Sequence, residues 1–341
     1  MSPFGLSVKT LYHMRRGICG KIVGVLRYIV RRIFEVIPTT FGIIVLTFVL
    51  FNVVGGSSAE VVLGKNATKE AIAAFNHRHG FDKPLLLNME KGQPLWDSQF
   101  CRFVVDLAHG DFGESTERRE PVINVLKRGV GPSLSLTVPM LVGGTLVGLA
   151  LALLCAAFRG GNVDRAVLFG STILMSVNYV VWVLAGQFIL AYKWRLFPIW
   201  GYENAFYLVL PVLIGMLSSL GVDVRFFRTA VLDEIYKPYV RTARAKGLSG
   251  AQILVKHVLR NSLIPIVTYV SLSIPYLFTG SLMLESFFGI PGLGSVSLNA
   301  IHSADLAVVR AVVVLGALLY QVVNLVTDLA YAWLDPRVRL G

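Results

Sequence analysis

Arg241, Thr242, Ala243, Arg244, Ala245, Lys246, Gly247, Leu248 and Ser249 form the most informative constellation in the chain. They read as a helix, a glycine stop and a helix restart, with alanines inside and basic residues around them. Gly247 suits the position just past a helix C-terminus. Ser249 and Gln252 are spaced as a capping box, and Leu248 and Ile253 as a hydrophobic staple. Small residues at 243 and 245 let another backbone approach closely. The chemistry on offer is structural: a braced turn with basic residues around it.

Bond-making chemistry finds no comparable set. Gly20-Lys21 and Gly64-Lys65 are followed by Ile22 and Asn66, so the phosphate loop G-x-x-x-x-G-K-[ST] is absent. H-E-x-x-H and G-x-S-x-G are absent too. His77 and His79 alone supply too few donors for a metal site. Cys19, Cys101 and Cys155 are too scattered for a disulfide framework or a zinc site. Asn66-Ala67-Thr68 is a glycosylation sequon by pattern only. The reading is therefore no catalytic residue, no metal and no cofactor.

The elements that position the turn are membrane spans. The chain is 55% hydrophobic and 15% charged, with mean hydropathy +0.65; soluble domains carry about 25% charged residues. A crossing needs roughly 20 mostly apolar residues. Six segments qualify: 36–54, 134–158, 166–192, 206–221, 264–284 and 306–331. The basic N-terminal tail runs into an apolar stretch too long for a signal-peptide core, so the first segment reads as a retained span.

Charge sets the orientation. Lys9, Arg15, Arg16, Lys21, Arg27, Arg31 and Arg32 precede the first span, against the single acid Glu35. Arg225, Arg228, Lys237, Arg241, Arg244, Lys246, Lys256 and Arg260 lie between the fourth and fifth. Lys and Arg favour the cytoplasmic side, so both termini and the basic loop face inward. The net charge of +12 is thus topogenic, directed at membrane lipid and not at nucleic acid. The expected organisation is a cytoplasmic tail (1–35), a first transmembrane helix (36–54) and an external loop (55–131). A transmembrane core (132–332) follows, with an internal loop at 223–260, and then a short cytoplasmic tail (333–341). Helix-like stretches at 68–75 and 99–108, closed by the Gly110–Ser115 turn, make the external loop a small folded cap.

Polar residues inside spans need a partner or a water-filled path. Asn178 and Gln187 are candidates to line a pathway, or to make interhelical hydrogen bonds. Gln321, Asn324, Asp328, Tyr331 and Asp335 recur at three- and four-residue steps, which places them on one helical face. Arg310 and Glu285 read as residues snorkelling at external span ends.

The internal turn resembles the coupling loop of binding-protein-dependent ABC importer permeases, in the dipeptide/oligopeptide/nickel branch. Other markers stand in the same order: Tyr28 to Ile33 with Ile37-Pro38-Thr39, Phe81 to Leu85, Gly110 to Ser115, Phe287 to Gly294, and Asp335-Pro336-Arg337. Gly55-Gly56-Ser57-Ser58 and Asn178-Tyr179 depart from the branch's pattern, and Arg241 replaces an acidic residue. The resemblance implies an all-α polytopic protein with a type-I importer permease fold. It also implies a homologous second permease, two cytoplasmic ATPases and an extracytoplasmic solute-binding protein. Peptides or related small solutes are the implied cargo, and the bacterial inner membrane the implied location. The alternative from the residues is a secondary transporter driven by an ion gradient, which needs intramembrane carboxylates or broken helices.

Overall fold

The computed structural model describes residues 34–54, 68–79, 82–86, 88, 94, 97–274, 277 and 281–334. The basic tail, the Gly55–Ser58 run, Phe81 and Asp335-Pro336-Arg337 lie outside them. So do the side chains of His79, Asp328 and Tyr331. Among the described residues the secondary structure is helical, with one isolated bridge between Glu114 and Pro121.

Helix α1 (Phe34–Asn52) precedes the cap helices α2 (Lys69–His79) and α3 (Gln99–Ala108). Then come α4 (Val122–Ala157), α5 (Asn162–Ser176), α6 (Tyr179–Lys193) and α7 (Phe206–Ile235). Helix α8 (Pro238–Ala245) and α9 (Gly250–Ser271) flank the internal turn. The chain continues through α10 (Leu282–Phe288), α11 (Leu293–His302) and α12 (Leu306–Leu334). α1, α4, α7, α9 and α12 are long and apolar enough to cross a bilayer, and α5 with α6 makes a sixth crossing if counted as one span.

Four spans differ from their sequence boundaries. The 134–158 segment begins twelve residues earlier, at Val122, so the last ten residues read as external loop (122–131) are the first turns of α4. The 166–192 segment is not straight: α5 and α6 meet at 94°. Asn178 makes the break by adopting extended backbone and accepting the Val180 amide at 2.9 Å, which caps a new helix. The 206–221 segment continues as helix to Ile235, past the point where charged residues end the apolar run. The 264–284 segment starts earlier, at Gly250, and its helix ends at Ser271.

The core follows from small residues. Gly144, Gly148, Ala152 and Ala156, spaced four apart, lie buried along one face of α4. They bring α7 close, and among the described helices this pair shares the most extensive contact. A Cβ at Gly148 would already touch Phe227 at 3.2 Å.

The cap is tied down at two places. Phe100 and Phe103 of α3 meet Phe48 of α1 at ring distances of 5.2 and 5.9 Å. The Gly110–Ser115 turn carries positive φ at Gly110 and Gly113. Beyond it, the Ser115 hydroxyl donates to the buried Asp305 carboxylate before α12.

Candidate functional site

The α8–α9 turn is built locally from its own sequence. Gly247 has φ +79°, and its amide donates to the Arg244 carbonyl at 2.9 Å. The Leu248 amide reaches back to the Ala243 carbonyl at 3.4 Å, completing a Schellman motif. Ser249 and Gln252 form the reciprocal capping box, with both bonds present at 3.2 and 3.3 Å. Two orphan ends of helix are thereby satisfied within residues 243–252, about three helical turns of chain.

Packing fixes the turn to the spans. Val240, Ala243, Ile253 and Val258 are buried with Val231 of α7 and Ala156 of α4, and Leu248 and Tyr239 pack against them. The Tyr239 hydroxyl donates to Glu234 at 2.7 Å. Burial, with Glu234 beside it, pushes that phenol above its ordinary pKa. Arg241, Thr242, Arg244, Ala245, Lys246, Gly247 and Ser249 remain exposed. Ala243 does not join them. It is 6% exposed and turned into the chain's own core, so its small size serves the turn and not a partner's cleft.

A second tie lies beside the turn. Arg228 of α7 grips Asp164 of α5 with two bonds of 2.7 and 2.8 Å, and the Gly160 amide donates to the same carboxylate. Asp164 is 3% exposed, so the pair locks the start of α5 to α7 in a dry setting.

The amides singled out from the sequence are committed to backbone. Asn178 caps α6 and lies exposed at the bend. Gln187 donates to the carbonyls of Ile199 and Phe287, both at 2.9 Å, tying α6 to α10. Neither lines the cavity described below. Gln321 meets Thr40 of α1, which makes its face of α12 a helix-packing surface.

Glu285 does not snorkel. It is fully buried, accepting from the Ser133 hydroxyl at 2.7 Å and from the amides of Ser281 and Ser295 at 3.1 and 3.0 Å. The carboxylate clamps α10 and the first turn of α11 against α4, and a Cβ at Gly292 would overlap it. Arg310 is likewise drawn inward, its guanidinium 5.1 Å from the Phe103 ring under the cap.

One group escaped the sequence reading. Asp223 falls at the edge of the basic loop in sequence, but the structure places it inside α7. It lines a cavity of about 340 Å³ with residues of α4, α9 and the α10 junction. Gly221-Val222 and Val224 around it carried the signal, since an acid flanked by apolar residues suits a span better than a loop.

No phosphate loop or metal-ligand cluster accompanies these features among the described residues. The described geometry is that of a helical membrane core with a rigid, exposed turn between α8 and α9. Residues 144–340 match the family described as binding-protein-dependent transport system inner membrane component. Residues 25–137 match the corresponding N-terminal membrane component family.

The chain belongs to this family of inner membrane components.

Relatives agree over nearly the whole length. A probable peptide ABC transporter permease protein of Sinorhizobium fredii is 31% identical over 322 residues, covering 92% of this chain and 99% of the relative. The glutathione transport system permease proteins of Escherichia coli K12 and Salmonella paratyphi A are each 31% identical over 317 residues, with the same coverage. The chain is thus a permease subunit of an ABC importer with the helical fold of that family. Membership favours this reading over the ion-gradient transporter.

Proposed function

We propose that this chain is one of two homologous permease subunits of a peptide importer, forming half of the translocation pathway. Two separate cytoplasmic ATPases drive it, and an extracytoplasmic binding protein delivers the cargo. The observation that carries the reading is the α8–α9 turn. It is exposed on its basic outer side and cemented on its inner side to α4 and α7. Arg241, Thr242, Ala245, Gly247 and Ser249 form the outward surface that an ATPase engages. Ala243 and Leu248 hold it in shape from within. Closure of the ATPases moves the turn as a rigid body, and the spans attached to it open alternately outward and inward. Peptide cargo is supported by the peptide and glutathione systems among the relatives.

The proposed topology places the turn and both termini in the bacterial cytoplasm. The 55–131 loop faces the binding protein outside. The segments 1–35, 36–54, 132–332 and 333–341 keep the roles assigned above, with the coupling loop narrowed from 223–260 to residues 236–249 between α7 and α9.

Co-purification tests the assignment. Tagged chain expressed with its genomic ATPase and second permease should bring both down, and the complex should hydrolyse ATP. The chain purified alone should show neither ATPase activity nor stoichiometric nucleotide binding, because the phosphate loop is absent. Nucleotide binding by the isolated chain sinks the division of labour.

A further inference from the structure

The cavity beside Asp223 has a composition that points to a ligand. Asp223 lies within a membrane-spanning helix, where a carboxylate needs a partner or a wet path. Among the described residues no Lys or Arg pairs with it. Arg225 and Arg228 of the same helix turn the other way, toward Thr172 and Asp164 of α5. The carboxylate's recorded partners are hydroxyls: Tyr269 of α9 donates at 3.0 Å, and Ser219 lies one turn before it.

The neighbouring wall is aromatic and rigid. The Tyr269 ring stacks on Phe226 at 4.4 Å and meets the edge of the fully buried Phe227 at 5.9 Å. Tyr269 and Phe227 both line the cavity with Asp223. A carboxylate beside aromatic rings, with hydroxyl oxygens near it, is an acceptor set suited to an ammonium group. The volume of about 340 Å³ exceeds what a single water needs, about 10–15 Å³ on a comparable measure. Met140, Leu141, Val270 and Leu277 supply an apolar remainder for uncharged atoms of the same solute. A proton relay would require a second carboxylate, a His, a Lys or an Arg facing Asp223, and among the described residues the cavity lining contains none, Tyr269 being its one other titratable group.

We infer that the Asp223–Tyr269 cavity is a station on the translocation path that receives the cationic ammonium of the transported solute. The peptide α-ammonium is that group, a clause that rests on the proposed peptide cargo. Asp223 acts there as a specificity residue for positive charge. Tyr269, held by Phe226 and Phe227, orients the carboxylate.

The test reads charge preference without needing the natural cargo. The full importer complex is used, with Cys19, Cys101 and Cys155 replaced by alanine and Ser273→Cys introduced into the cavity wall. Two thiol reagents are compared: trimethylammonioethyl and sulfonatoethyl methanethiosulfonate. Relative to a free small thiol, the cationic reagent should be favoured by about tenfold, the scale of one nearby charge at a partly buried site. Asp223→Asn should abolish that preference, and Asp223→Glu should retain it. An unchanged ratio in Asp223→Asn, or a thiol unreactive to both reagents, overturns the site. Uptake of radiolabelled trialanine by the same complexes separates this inference from the cargo reading. If the unmutated importer ignores trialanine but shows the charge preference, the peptide reading fails and the cation site stands. If trialanine uptake is normal in Asp223→Asn, the station's role in transport is refuted and the cargo reading stands.

Discussion

Replacing Gly247 by valine isolates the contribution of one backbone angle. Gly247 has φ +79°, and a Cβ built there meets nothing within 4 Å. The penalty is therefore conformational, with no clash to relieve. A residue with a Cβ costs about 1–2 kcal/mol in the left-handed region, and a β-branched residue sits at the upper end. If the backbone relaxes to negative φ, it loses the Gly247-to-Arg244 and Leu248-to-Ala243 bonds, about 0.5–1.5 kcal/mol each. A deficit of one or two kcal/mol shifts the population of the native turn by a factor of roughly 5–30. The assay is ATPase activity of the reconstituted importer, stimulated by cargo-loaded binding protein, beside cargo uptake in the same vesicles. Activity should fall in the order Gly, Asn, Ala, Val, since asparagine tolerates the left-handed region best among the substitutes. Gly250→Ala provides the control, because that exposed glycine opens α9 without a positive φ. Valine at 247 supporting wild-type uptake with the ATPase still bound would refute the reasoning, as would the absence of any rank order.

Ala243→Trp and Ala245→Trp should diverge. The first overfills the buried cluster under the turn, costing about 1–3 kcal/mol and showing as protease sensitivity of the purified chain. The second, on the exposed side, should leave the chain stable and weaken ATPase co-purification. Arg228→Ala strands the buried Asp164 carboxylate and should destabilise the α5–α7 contact by about 3–5 kcal/mol, read as a lowered Tm; Arg228→Met with Asp164→Asn should recover most of it. In a background free of native cysteines, Glu90→Cys should react with an impermeant thiol reagent in intact cells and Gly250→Cys should not; the reverse pattern inverts the proposed topology.

The turn was legible because its signals are local. Gly247, Ser249 and Gln252 each dictate the geometry of their own few residues, and tertiary context had only to agree. Span boundaries were less legible, because hydropathy reports where lipid ends and not where a helix ends. Helix α7 runs on through Arg225, Arg228 and Glu234, whose charged ends find partners or water while the backbone stays helical. The bend before α6 hid because it needs no proline or glycine. Asn178 breaks the helix by offering its side-chain oxygen to the next turn. Ala243 and Ala245 look alike in sequence, and only the direction of α8 relative to α4 and α7 separates the buried one from the exposed one. Glu285 misled for a similar reason. Its partners, Ser133 and the α11 amides, are brought to it by the fold and leave no trace in its immediate sequence.

The row of Gly144, Gly148, Ala152 and Ala156 turns α4 and α7 into a single beam. The small residues of α4 receive Phe227 and Met216 of α7 with no room to spare, and close-packed interfaces shift as units. The α8–α9 turn is packed against one end of this beam, and about 18 Å of helix, at about 1.5 Å per residue, separates that end of α7 from Asp223. A tilt of about ten degrees applied at the turn would therefore sweep the carboxylate sideways by roughly 3 Å, the length of one hydrogen bond. Leverage of that size is enough to swap a held ammonium group from one set of oxygens to another.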